Sequence, residues 1–142
     1  MPQQRKIEYH QLEAGYEFPP TSYKLDSAMV ATYLKATEET SRLYQDTGLI
    51  PPMAIAAYAM AALSERISIP PGTIHVSQEI EFIDTVSVGD TIICHAKVSR
   101  KQDRGRLHLL AVDLNVFNQN QKVVMAGKNS FVLPVPDEDD AL

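Results

Sequence analysis

Hydrophobic positions along the chain change period near residue 70. Upstream of it, Met29, Val30, Tyr33 and Leu34 recur at helical spacing within SAMVATYLKAT, behind Asp26 or Ser27 as N-cap. A short polar loop follows, and a second helix is predicted from about Pro51, where a proline in the first turn removes no helical hydrogen bond. From Met53 to Leu63 that helix has almost no polar face, and a helix apolar all round must be wrapped by other structure. Before both helices, YEFPPTSYKL alternates poorly, and its two prolines favour an edge strand or extended arm.

Downstream, the period becomes two. Ile74, Val76, Ile80 and Phe82 fall opposite His75, Ser77, Glu79 and Glu81. Ile92, Cys94, Ala96 and Val98 alternate with polar residues, then Leu110, Val112, Leu114 and Val116, then Val124, Ala126, Ser130 and Val132. These are half-buried strands. RKQDRGR and NQNQK supply hairpin turns, and VSVGD a tight loop. An apolar helix followed by four long strands predicts an α+β domain: a hot-dog fold, with a curled antiparallel sheet wrapped round one long apolar helix. The predicted domain is 1–134, with 135–142 an acidic, disordered tail.

The length of 142 residues fits one domain, and 44% hydrophobic against 22% charged residues is a globular balance. A net charge of −5 argues against nucleic acid as the main partner, which needs a basic face. Cys94 is the single cysteine, so no intrachain disulfide forms; this and the lack of an apolar leader lead us to expect a cytoplasmic protein. The longest apolar stretch, Gly48 to Leu63, is too short to span a bilayer, so no membrane partner is expected. The histidines and Cys94 form no metal-ligand pattern, and the sequence implies no cofactor. His95 and His108 read as surface or interface residues on strands.

The segment PPGTIHVSQEIEFIDTVSVGDTIICHAKVSRKQ resembles the second half of MaoC-like hot-dog dehydratases and (R)-specific enoyl-CoA hydratases, with Gly89, Asp90 and Thr91 matching their loop. The likeness spans roughly residues 10 to 134. In the family's catalytic signature, Tyr33 matches the tyrosine and Leu43 the aliphatic position. Glu38 stands at the glycine, Glu39 at the catalytic aspartate, Ser41 at the asparagine, Arg42 at the proline and Tyr44 at the catalytic histidine. The run Gly48 to Pro52, with His75 opening the next strand, is similar to the non-catalytic N-terminal-type dehydratase domain of two-domain and fungal-synthase-type proteins.

The resemblance implies acyl-CoA or acyl-carrier-protein thioesters as ligands, and a homodimer or a heterodimer with a second hot-dog protein. Dehydration needs a base for the α-proton, an acid for the leaving hydroxide and donors for the enolate oxygen. Glu39, Tyr44 and His75 are the acid–base candidates. A phenol donates a proton but is a poor base near neutral pH. The other reading of Glu38 and Glu39 is a solvated helix end, with Arg42 as ion partner; of Tyr44, an aromatic lid; and of His75, a turn or interface residue. Gly48, Leu49, Ile50, Pro52, Met53 and Ala54 are the candidate thioester-binding residues at the start of the buried helix, with Leu49, Ile50, Met53 and Ala54 the backbone donors there. The expected function is an acyl-thioester-binding member of the dehydratase/hydratase family with degenerate acid–base residues, beside a catalytic hot dog. The alternatives are a non-enzymatic acyl-CoA-binding or regulatory module, or a thioesterase using Glu39.

Overall fold

The computed structural model describes residues 5–135, so all of the expected acidic tail except Val135 lies outside the described residues. An N-terminal arm carries a 3-10 turn at Tyr9–Gln11 and leads to a short strand, β1 (Thr21–Lys24). Three helices follow: α1 (Ser27–Ala36), α2 (Arg42–Thr47) and α3 (Pro52–Arg66). The chain then runs through β2 (Ile74–Phe82), β3 (Thr91–Arg104), β4 (Leu107–Asn118) and β5 (Val123–Pro134). All strands pair antiparallel in one sheet of order β1-β3-β4-β5-β2, so the strand after the apolar helix crosses to the far edge.

Local chemistry accounts for most boundaries. Asp26 caps α1, its Oδ1 accepting the Met29 N–H at 2.8 Å. Gly48 sits at φ 69° and ends α2 in the left-handed region, where a side chain is strained. The hairpin between β3 and β4 turns at Gly105 and Arg106 alone, so most of RKQDRGR is strand rather than turn.

The apolar helix α3 has 15 residues, about 22 Å, and is neither long nor wholly wrapped. It packs on β3 and β4 through Ala54, Ile55, Ala56, Ala59, Ala62 and Leu63. Its alanines let the sheet approach closely. On its other side Met53 is 54% exposed, and Ala57 and Ala61 face outward too. The core beneath it is made by Leu25, Ile92, Val98, Leu110, Val112, Val116, Met125 and Leu133.

Two strands depart from simple alternation. In β2 the register shifts between His75 and Ser77, leaving Val76 as a bulge. His75 pairs with Phe131, Gln78 with Asn129, Ile80 with Gly127 and Phe82 with Met125. Because Phe131, Asn129 and Met125 are buried toward the helix, His75 shares the helix side with Ile80 and Phe82, while Ile74 points outward. The predicted β2 faces are therefore corrected at both His75 and Ile74. In β5 the inward set is Met125, Asn129, Phe131 and Leu133; Ala126, Ser130 and Val132 face out, opposite to the predicted phase. Asn129 and Gly127 on the buried side conceal that phase from a hydrophobicity count.

Candidate functional site

The polar loop predicted between the first two helices contains α2. Ser41 is its N-cap, with Oγ accepting the Leu43 N–H at 3.3 Å. Glu39 reinforces this start: its Oε1 accepts the Ser41 N–H at 2.9 Å. Glu38 turns the chain at φ 55°, in the left-handed region. Both glutamates are exposed, and among the described residues Arg42 forms no ion pair with either.

Behind α2, Gly48, Leu49 and Ile50 form a short ladder with the loop before β3. Gly48 accepts the Val88 N–H at 2.8 Å, Leu49 bridges Ser87, and the Ile50 N–H donates to Val86 at 2.7 Å. This ladder fixes one wall of an apolar cavity of about 340 Å³. Leu43 and Tyr44 of α2, Leu49, Ile50, Pro52 and Ile55 line one side, and the β2 exit from Phe82 to Val86 lines the other. The expected acid–base and thioester-binding residues thus divide. Tyr44, Leu49, Ile50 and Pro52 converge on the cavity; Gly48, Met53 and Ala54 are adjacent in the chain but do not line it. Of the four backbone N–H groups expected to serve a carbonyl there, Leu49 donates to Thr47 Oγ1 at 3.3 Å, Ile50 to Val86 and Ala54 to Pro51 at 2.9 Å.

Neither other acid–base candidate lines this cavity. Glu39 is engaged at the α2 cap. His75 lies about 20 Å from Phe82 along β2. It stacks on Phe131 with ring centroids 4.8 Å apart, and its Nε2 meets Asn129 Oδ1 at 3.2 Å. Asn129, 1% exposed, places its Nδ2 on Met60 Sδ at 3.0 Å. A carboxylate the sequence reading missed does line the cavity: Asp84, whose Oδ1 accepts the Thr85 N–H at 2.8 Å. Its signal in the sequence is weak, since Asp-Thr after a strand reads as an ordinary turn.

Cys94 is buried, and burial pushes its thiol up to about 12, which fits a core residue and not a nucleophile. His108 is no free surface residue. It stacks on Tyr9 at 4.1 Å, and Tyr9 donates to Asp103 Oδ1 at 2.8 Å, which ties the N-terminal arm to the sheet. Among the described residues no group of histidine, cysteine and carboxylate side chains is placed to hold a metal ion. No described helix is long and apolar enough to cross a membrane.

This architecture, one helix seated on an antiparallel sheet of this strand order, is that of hot-dog proteins. Similar folds include the (R)-hydratase PhaJ1 from Pseudomonas aeruginosa, with TM-score 0.78 and 21% identity over 92% of this chain and 88% of that one. The (R)-hydratase from A. caviae gives TM-score 0.73 and 20% identity over 87% and 98% of the two chains. The HadBC (3R)-hydroxyacyl-ACP dehydratase complex from Mycobacterium tuberculosis gives 0.66 and 14% over 84% and 96%. At such identities the likeness is one of fold. No curated protein matches the sequence. The family profile described as FAS1-like, dehydratase domain region matches residues 13–127, and the chain belongs to that family.

Proposed function

We propose that this chain binds acyl thioesters, of coenzyme A or acyl-carrier protein, as a dehydratase/hydratase-family subunit whose own acid–base pair has degenerated. The observation that carries this reading is the position of Glu39. The residue at the family's aspartate position hydrogen-bonds the start of α2 and is absent from the cavity wall, while Tyr44, at the histidine position, reaches it. An apolar cavity beside the start of α3 suits an acyl chain, and engaged backbone donors suit binding better than enolate stabilisation.

Dehydration moves an α-proton to a base, expels the 3-hydroxyl as water with a proton from an acid, and leaves a C=C bond. In this reading the base is supplied by a second hot-dog subunit, which pairs with the free edge of β2. HadBC is a complex of dehydratase chains, and the long unpaired edge strand here favours the same type of assembly. A cytoplasmic location is consistent with the single cysteine.

A second reading, a self-sufficient enzyme or thioesterase, gains one observation: Asp84 supplies a carboxylate at the cavity in place of Glu39. A non-enzymatic acyl-CoA-binding module shares the same cavity. Purified protein mixed with crotonyl-CoA separates the readings. The expected result is saturable binding with negligible loss of the enoyl ultraviolet band and no thiol release. Rapid hydration or hydrolysis by the chain alone, abolished by Asp84→Asn, overturns it; absence of any thioester binding overturns the ligand class.

A further inference from the structure

α2 has no buried residue, yet it forms one wall of the cavity of about 340 Å³. Its side-chain bonds, and those of its cap, all end within residues 39–49. Glu39 Oε1 accepts the Ser41 N–H, Ser41 Oγ the Leu43 N–H, the Leu43 carbonyl the Thr47 hydroxyl, and Thr47 Oγ1 the Leu49 N–H. Among the described residues no hydrogen bond ties Thr40 to Thr47 to the sheet or to α3. On the cavity side this segment presents Leu43 and Tyr44. Leu43 is 51% exposed, and on the facing wall Ile83 is 51% and Phe82 39% exposed. Both walls thus show apolar side chains to water across an open gap, an unfavourable arrangement.

The segment is fastened by backbone at both ends, and each fastening lies beside a left-handed residue. Upstream, Glu38 is at φ 55° and the Glu39 N–H donates to the Leu34 carbonyl at 2.9 Å. Downstream, Gly48 is at φ 69° and its carbonyl accepts the Val88 N–H. Rotation about the N–Cα bond of Gly48 swings everything before it while that carbonyl stays on Val88. Glycine gives this rotation its widest range, and nothing stands within 4 Å of where a Cβ would be. The bonds that cross the two fastenings run through the side chains of Glu39 and Thr47, which follow the movement.

We propose that α2 is a lid, hinged at Glu39–Thr40 and at Gly48, that swings toward the β2 exit and closes Leu43 and Tyr44 over an acyl chain lying against Phe82 and Ile83. Closure breaks no backbone hydrogen bond to the surroundings, and it takes the exposed apolar surface of both walls out of water. The acyl chain supplies the contact that the walls lack. With the cavity empty they have nothing to meet, so the open position belongs to the free protein and the closed one to the complex. Binding pockets bury most of a ligand's surface, and lids hinged on a few residues commonly set the rate of release. The identity of the ligand rests on the thioester reading above, whereas the movement of α2 rests on the hinges and the cavity walls alone.

Distances between spin labels test the movement without touching the cavity. Cys94 is buried, so introduced cysteines take the label. Gln45→Cys on the exposed side of α2 is paired with Lys128→Cys, exposed on β5; Glu65→Cys on α3 with Lys128→Cys is the reference, since neither of those elements moves. Labelled chains diluted into excess unlabelled protein report distances within one chain. In the free protein the distance from position 45 is expected to be spread more broadly than the reference. Saturation with octanoyl-CoA, whose chain has no double bond to hydrate, should narrow it and shift it by several ångströms, with the reference unchanged. A free-state spread no broader than the reference, or a distance unmoved while calorimetry shows the ligand bound, overturns the lid. A broad free-state spread with no thioester bound supports the lid and overturns the ligand reading alone.

The cover is read from release. Leu43→Ser alters a half-exposed side chain, so the urea midpoint should stay at the wild-type value. Octanoyl-CoA should leave about tenfold faster in stopped flow, the loss of one apolar contact in the closed state. An unchanged release rate shows that α2 does not cover the chain and overturns the inference.

Discussion

Glu39 occupies a position where the sequence allows either proton transfer or helix capping, and in the structure its Oε1 accepts the Ser41 N–H at 2.9 Å, which is the contact the capping reading requires. Glu39→Gln keeps the accepting oxygen and removes the charge. Its urea midpoint should shift by less than the equivalent of about 0.5 kcal/mol, and its crotonyl-CoA affinity should stay within about threefold. A large loss of affinity with unchanged stability would mean that the carboxylate touches the ligand. Cys94 makes a second residue-scale prediction. Its folded thiol is raised to about 12 from an ordinary 9.0, so the folded state holds the proton that the unfolded state releases. That contribution is complete below pH 9 and is lost as pH rises toward 12, by at most about 1.4 kcal/mol per pH unit. Denaturant melts between pH 8 and about 9.5, where the unfolded thiol titrates ahead of the unfolded tyrosines, should show falling stability in wild type and a flatter profile in Cys94→Ala.

Among the elements, β2 has the least support and the most consequence. It is held by β5 alone, and its bulge decides which way His75 faces. Gly127 of β5 makes the close approach possible: a Cβ there would lie 2.9 Å from the Glu79 carbonyl oxygen. Gly127→Ala should therefore cost about 1–3 kcal/mol, and hydrogen exchange should locate the loss in β2 before any other strand. Uniform loss across the sheet would show that β2 is not a separately weakened edge. The α1 cap, the turn at Asn118–Lys122 and the tight loop at Gly89 were legible in the sequence, because each is set by residues within four of one another. α2 was not, since six residues of mixed polarity carry no periodic signal.

For the whole molecule, the proposed reading has a second hot-dog sheet continue the first at the free β2 edge, beside the bare side of α3. Dimerisation linked to folding makes the melting temperature rise with protein concentration. Scanning calorimetry over a hundredfold range should show that rise, and light scattering should give twice the chain mass of 15.8 kDa at micromolar concentration. A concentration-independent melt with monomer mass would leave the edge uncovered and overturn that reading. Hydrophobic period, caps and turns determined the α+β hot-dog class, the apolar helix and the long strands that follow it, because those signals are local and repeat many times. Only the tertiary structure decided the helix-side turn of His75, the inward phase of β5, the hydrogen bond of Glu39 to the Ser41 N–H and the arrival of Asp84 at the cavity. Each of these depends on one bulge, one buried amide or one hydrogen bond between segments, and a single residue's register leaves no periodic trace in the chain.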